Sequence, residues 1–272
     1  MTTLELTRRR WGDWAWARKA TAIADLFQVR LSLAVAGATM AGALMCAGRL
    51  TDGSVWAVAG VFAMACGARA LNQYQERGID AIMDRTARRP IPSGRVSPAA
   101  ALAIATLALD AGALILLAGA GPFPTALGIA AAAAYNHVYT PLKKKTAWAA
   151  VIGSPIGALA PLVGWTAAGG PLISSAILPV TAFILLWQTP HFWLLQIRHR
   201  ADYERVGLRV LGARLSAHGR RVVMAGITLA LGTVAAVWMP RAMNLSAPAQ
   251  AILVTLSLGL IAFQPAGASR GG

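Results

Sequence analysis

An all-α polytopic membrane protein, a bundle of about eight transmembrane helices, is the fold class this sequence predicts. Three observations predict it. Of 272 residues, 57% are hydrophobic and 13% charged, an apolar share well above that of a soluble domain. The apolar residues arrive in runs of about 18 to 24, the length a helix needs to cross roughly 30 Å of hydrocarbon. The basic residues are also sorted: 22 of the 25 Lys and Arg fall on one side of an even-numbered topology. By the positive-inside rule that side is cytoplasmic and holds both termini.

The elements follow in order. Residues 1–29 form a basic N-terminal segment without the uninterrupted apolar core and small-residue cleavage site of a signal peptide. Trp11, Trp14 and Trp16 beside Arg18 and Lys19 suit a helix lying at headgroup level, and Glu5, Asp13 and Asp25 speak against a transit peptide. The transmembrane bundle occupies 30–264, with spans expected over 30–48, 54–72, 98–118, 122–140, 148–168, 172–196, 220–239 and 246–264. A short tail, 265–272, follows. Connections rich in Gly, Pro or charge separate the spans, namely RLTDG, residues 73–97, GAGPFP, PLKKKT, AAGGP, 197–219 and MPRAMNLSAP. Small residues crowd several spans, as in GIAAAAAYN, and let helices approach closely in lipid. Cys46 and Cys66 lie in apolar spans without a C-x-x-C pairing, so they read as core hydrophobes. The net charge of +15 is topological, which argues for membrane lipid and against a nucleic-acid partner.

Chemistry concentrates between the second and third spans. Asn72, Glu76, Asp80 and Asp84 are spaced four apart, so on a helix each step rises about 6 Å and drifts about 40°, drawing one slowly turning stripe. Three like charges on a stripe repel one another and are costly near lipid. A solvated helix end is the alternative, but that face would carry lysines, and the stretch 72–98 has none. Mg²⁺ fits better: it takes one or two carboxylates and completes its shell with water and substrate phosphate oxygens. Arg77, Arg85, Arg88, Arg89 and Arg95 share this stretch with Pro90, Pro92 and Gly94, and arginine forks suit phosphate. Lys143, Lys144 and Lys145 lie on the same face, with Tyr139 four residues before Lys143. A third charged loop carries Asp202 and Glu204 beside Arg198, Arg200 and Arg205, a place for a second metal or plain surface charge. Carboxylates with metal, ringed by cations on one membrane face, describe a diphosphate site. Both basic clusters also read as topology determinants alone.

N-x-x-x-E-x-x-x-D followed by RTARRPIPSGR resembles the first acidic motif of the UbiA-type intramembrane prenyltransferases. The stretches 135–165 (YNHVYTPLKKKTAWAAVIGSPIGALAPLVGW) and 186–203 (LWQTPHFWLLQIRHRADY) extend the resemblance, which covers roughly residues 26 to 215 and narrows to the branch acting on haem. The resemblance implies a helical bundle around a central cavity open to the cytoplasmic face of a bacterial inner membrane, with nine spans where eight are counted here. It implies transfer of farnesyl from farnesyl diphosphate to a vinyl group of haem b, with addition of water, to give haem O. Asn72, Glu76 and Asp80, with Asp202 as the second acidic site, would be catalytic and hold Mg²⁺. Tyr139, Lys143 and Arg30 match residues that face the diphosphate, and Arg77, Arg85, Lys144 and Arg198 join them as candidates. A haem-modifying or oxidase-assembly partner is implied as well. Glu76 departs from the family, standing where Asp is common.

His191, just after Pro190, is a candidate haem-binding residue, since imidazole suits iron; a packed or hydrogen-bonded histidine is its alternative. Asp110, in mid-span, is costly in lipid and expected to face the interior. Trp165, Trp187 and Trp193 read as packing or interface residues. Two other functions share parts of this pattern. One is a prenyltransferase for another aromatic acceptor, such as a quinone or chlorophyll precursor. The other is a transporter or haem-binding assembly factor, although the paired mid-membrane charges and repeated broken helices of a transporter are not found.

Overall fold

A computed structural model of the chain describes residues 16–210 and 216–239. Trp11, Trp14, the expected span 246–264 and the tail 265–272 lie outside the described residues. Among those described, all regular structure is helical. Residues 16–26 form α1, and Gln28, at φ 44°, turns the chain into α2 (Val29–Ala47). Gly48, at φ 67°, ends α2 with its N–H donated to Leu44 O, a left-handed cap that glycine adopts without strain. α3 (Asp52–Asp80) opens on a reciprocal capping box between Thr51 and Ser54. α4 (Pro98–Ala120) starts from Ser97, which caps Ala100 N–H, with Pro98 in its first turn.

α5 (Pro122–Ala133) runs through a π-helical segment (Ala134–Tyr139) into α6 (Thr140–Lys145). α7 (Ala149–Ala167) follows, then α8 (Leu178–Arg198), the short α9 (Arg200–Arg205), and α10 (Ala217–Thr233), which ends in a second π-helical turn (Val234–Trp238). Every expected span as far as residue 239 is therefore a helix, and α2, α3, α4 and α8 are each long and apolar enough to cross a membrane alone. Three boundaries differ from expectation. The 29 residues of α3 measure about 44 Å at 1.5 Å per residue, so its last turns outrun the hydrocarbon and carry residues 73–80 as helix. PLKKK of PLKKKT is helix, with Pro141 in the first turn of α6 and Thr146 ending it in an extended conformation. The sixth span begins at Leu178 rather than 172, because Pro171 to Ile177 form bends and turns.

α3 packs on α2 and α4, α4 on α5, α5 on α7 and α7 back on α2, while α8 joins α7 and α10 joins α8. Lipid supplies no hydrophobic drive between helices, so close backbone approach carries the association. A Cβ on Gly112 would lie 2.6 Å from Met64 N and 2.7 Å from Gly60 O, where α3 and α4 touch main chain to main chain. Across α2 and α7, a Cβ on Gly42 or Gly164 would strike the carbonyl of Pro161 or Thr39. Ala57, Val61, Met64, Leu116 and Val163 form a shared core of the inner helices.

Candidate active site

The end of α3, the start of α6, the turns of 81–97 and α9 meet at one end of the bundle. Asn72 is buried, and its Nδ2 donates to Thr140 Oγ1 at 3.0 Å. Thr140 Oγ1 in turn donates to Tyr135 O at 2.8 Å, a carbonyl in the π-helical segment. One turn on, Glu76 Oε1 meets Lys143 Nζ at 2.7 Å, both side chains largely buried. The Lys143 ammonium also lies 5.0 Å from the centre of the Tyr139 ring. Burial opposes its charge, but Glu76 above all, then Tyr139 and Tyr135, outweigh that cost and hold its pKa above the ordinary lysine value. A further turn on, Asp80 Oδ2 accepts from Arg89 Nη1 at 2.7 Å, and Thr86 Oγ1 donates to the Asp80 carbonyl. Asp80 is 3% exposed, so its charge depends on that guanidinium.

The stripe stops there. Asp84, expected as its fourth member, lies beyond the helix in the turns after Asp80, with its side chain exposed and paired to Arg205 at 3.0 Å. Asp202, expected to supply a second metal site, is buried and accepts the backbone N–H groups of Asp84 and Arg85 at 3.3 Å each, with Arg205 at 3.5 Å. It does reach the first motif from across the bundle, but as a clamp on that motif's loop. Arg205, on the surface, is held above the usual arginine pKa by its bond to Asp84.

Tyr139 and Lys143 lie together beside Glu76. Tyr139 stacks on Tyr135 at 5.7 Å between ring centres and tilts against Phe192 at 6.1 Å. Its ring lies on α7 so closely that a Cβ on Gly153 would be 2.4 Å from Tyr139 Cδ2. Other candidates do not converge. Arg77 lies over the Tyr74 ring at 4.4 Å and donates to Tyr74 O. Arg30, Arg85, Lys144 and Arg198 are exposed, and Arg85 contributes only its main-chain N–H. His191 is exposed and stacked on Trp187 at 4.8 Å. Trp193 and Trp165 are packed as expected, with Trp165 Nε1 donating to Pro171 O. Thr140, Tyr135 and Phe192 were not singled out in the sequence, and Arg89 was named only as one of five arginines in its loop. Arg89 stands second in an Arg-Arg-Pro run nine residues past Asp80, and only the turn at 81–89 reveals that it folds back.

Glu76 and Asp80, one turn apart, present hard carboxylate oxygens, and Asn72 keeps an amide oxygen beside a donated N–H. That set fits Mg²⁺, which needs few protein ligands when phosphate supplies the rest. Among the described residues no cluster of three or more His, Cys, Asp or Glu is formed, so substrate oxygens and water would have to complete any shell.

The family model described as the UbiA prenyltransferase family matches residues 35–267. The chain belongs to that family. Proteins named protoheme IX farnesyltransferase are similar to it. That of Geobacter sulfurreducens is 45% identical over 184 residues, 67% of each chain. That of Oleidesulfovibrio alaskensis is 41% identical over 187 residues, 69% of this chain and 66% of the relative. The matches thus span about two thirds of these relatives' length. Among solved structures, a UbiA homologue from Archaeoglobus fulgidus bound to GPP and Mg²⁺ superposes with TM-score 0.72 at 12% identity, covering 88% of this chain and 86% of the other. An apo UbiA homologue from Aeropyrum pernix does so with TM-score 0.68 at 20% identity, covering 86% and 88%. At these identities the structures establish the UbiA fold for the chain.

Proposed function

We propose that the chain transfers a farnesyl group from farnesyl diphosphate to a vinyl group of haem b, with Mg²⁺, at the cytoplasmic face of a bacterial inner membrane. The observation that carries this reading is the meeting of α3 with α6 and the turns of 81–97, where two carboxylates one turn apart each hold a cation and one of those cations, Lys143, lies over an aromatic wall. The relatives named protoheme IX farnesyltransferase support the choice of donor and acceptor.

Glu76, Asp80 and the amide oxygen of Asn72 would hold the metal, which when bound neutralises diphosphate oxygens and eases the departure of that group. Lys143 and Arg89 lie beside the same carboxylates, within reach of diphosphate oxygens. As the C1–O bond of the donor breaks, positive charge develops on the allylic carbon. The π faces of Tyr139, Tyr135 and Phe192 attract such a cation, and apolar walls keep water from it. C1 then bonds to the terminal vinyl carbon, water adds to the cation left beside the ring, and one proton is released. The stacked Trp187–His191 pair, exposed on the same helix as Phe192, is a flat surface suited to a planar acceptor.

The test is direct. Membranes containing the protein, given haem b, farnesyl diphosphate and Mg²⁺, should form a product with the mass of haem O. Diphosphate release without a haem adduct, in the presence of an active synthase control, overturns the choice of acceptor.

A further inference from the structure

A mostly apolar cavity with a few polar groups lies beside the π-helical segment. It is lined by Met64 and Leu71 of α3, Asp110 and Ala113 of α4, and Asn136 and His137 at the end of the fifth span, and holds about 260 Å³. Asp110 is twelve residues into the 23 of α4, about 18 Å along the helix and so near the bilayer midplane. It was expected to face the interior, yet it and His137 are both exposed at the outer surface of the bundle. No ion pair within 4 Å joins either one to another group among the described residues. A carboxyl in this position is expensive without a partner.

Two further observations point to a ligand. Asn136 is 2% exposed, its Nδ2 donates to Ala132 O, and its Oδ1 is buried with no hydrogen-bond partner. Buried acceptors of that kind are rare and call for a donor. The residues also sit on a π-helical turn, a geometry that recurs at functional sites and here frees the Asn136 carbonyl to accept from Gln75 Nε2 at 3.2 Å. Acceptors predominate, the walls are otherwise apolar, and the opening faces lipid. Phosphate-headed lipids keep their charge at the interface, far from this depth.

We propose that this cavity binds the hydroxyl group of an apolar-tailed alcohol or phenol, with Asn136 Oδ1 and Asp110 as acceptors and His137 at the rim. The hydroxyl could belong to a prenyl alcohol or to a membrane quinol, and the two are separable by experiment. The purified protein in nanodiscs is irradiated with tail-diazirine farnesol or a tail-diazirine short-chain hydroquinone, each beside its O-methyl ether. Labelled peptides from 105–115 or 126–138 are expected for one or both hydroxyl probes, at least about tenfold above the ethers, the weight of one buried hydrogen bond. Asp110→Leu and Asn136→Leu should each lower labelling about tenfold. Asp110→Leu removes an exposed carboxylate from lipid and so keeps the fold even where Asn136→Leu does not. Equal labelling by alcohol and ether, labelling unchanged in Asp110→Leu, or label spread over the whole lipid-facing surface overturns the proposal. Which hydroxyl probe labels identifies the source.

Discussion

At the scale of single residues, the ion pairs assign different weights to carboxylates that look alike in the sequence. Asp80→Asn keeps the shape of the side chain but gives up the charge that would hold the metal. Loss of about 3 to 4 kcal/mol of transition-state stabilisation should lower turnover some hundredfold or more. The same change strands Arg89, whose guanidinium is four-fifths covered beside Asp80, so the thermal midpoint should fall rather than rise; repulsion within the stripe is not what this position relieves. Asp84→Asn breaks only an exposed pair with Arg205, worth about 0 to 1 kcal/mol, and turnover measured under the same conditions should stay within about threefold. Lys143→Met should raise the KM for the diphosphate more than it lowers kcat, because it removes a cation from the binding side of the site while leaving both carboxylates in place. A greater effect of Asp84→Asn than of Asp80→Asn on haem O formation would shift the metal register by one turn. The spacing of Asn72, Glu76 and Asp80 was legible because a four-residue step is the helix's own; the partners Arg89 and Thr140 were not, since turns and interhelical contacts leave no period.

At the scale of elements, the π-helical segment between α5 and α6 and the small-residue face of α7 jointly aim the aromatic wall. Gly153→Ala would drive a methyl into the Tyr139 ring at 2.4 Å, so the ring, stacked on Tyr135, would have to shift. We expect about tenfold or greater loss of kcat/KM, with Tyr139→Ala in the same chain erasing most of the difference between Gly and Ala at 153. A double-mutant cycle reads that coupling directly. Asp202 acts on another element, the turns of 81–97, by accepting two of their N–H groups. Asp202→Ala leaves these donors unpaired, so limited trypsin digestion at Arg85 and Arg88 should quicken several-fold, whereas Asp202→Asn, still an acceptor, should protect nearly as well as the native residue. Hydropathy revealed the helices but not these joints. A π-helical turn carries no composition of its own, and α3 was underestimated because its last turns are polar while still helical.

At the scale of the molecule, the all-helical bundle, its spans and the clustering of charge at one end were legible from composition and run length alone. The ring closure of α7 on α2 was not, being written in close backbone contacts at Gly42 and Gly164. The orientation of Asp110 escaped for a related reason: burial in a bundle depends on which helices are neighbours, and a lone polar residue in an apolar run does not say. With Glu76 held by Lys143 and Asp80 by Arg89, the ligand-free mouth behaves as a loaded ion exchanger whose fixed anions already carry counter-ions. A divalent cation arriving alone must displace them into water and gains little. Arriving with a diphosphate, it frees two side-chain cations that at once find phosphate oxygens. Binding should therefore be mutually cooperative, and by linkage each ligand must raise the other's affinity by the same factor. Calorimetry should find Mg²⁺ at least about tenfold weaker alone than beside a non-cleavable prenyl diphosphate analogue, and Lys143→Met should narrow that gap. Such a mouth would keep its two carboxylates paired and hold stray metal only weakly until the substrate it serves is present.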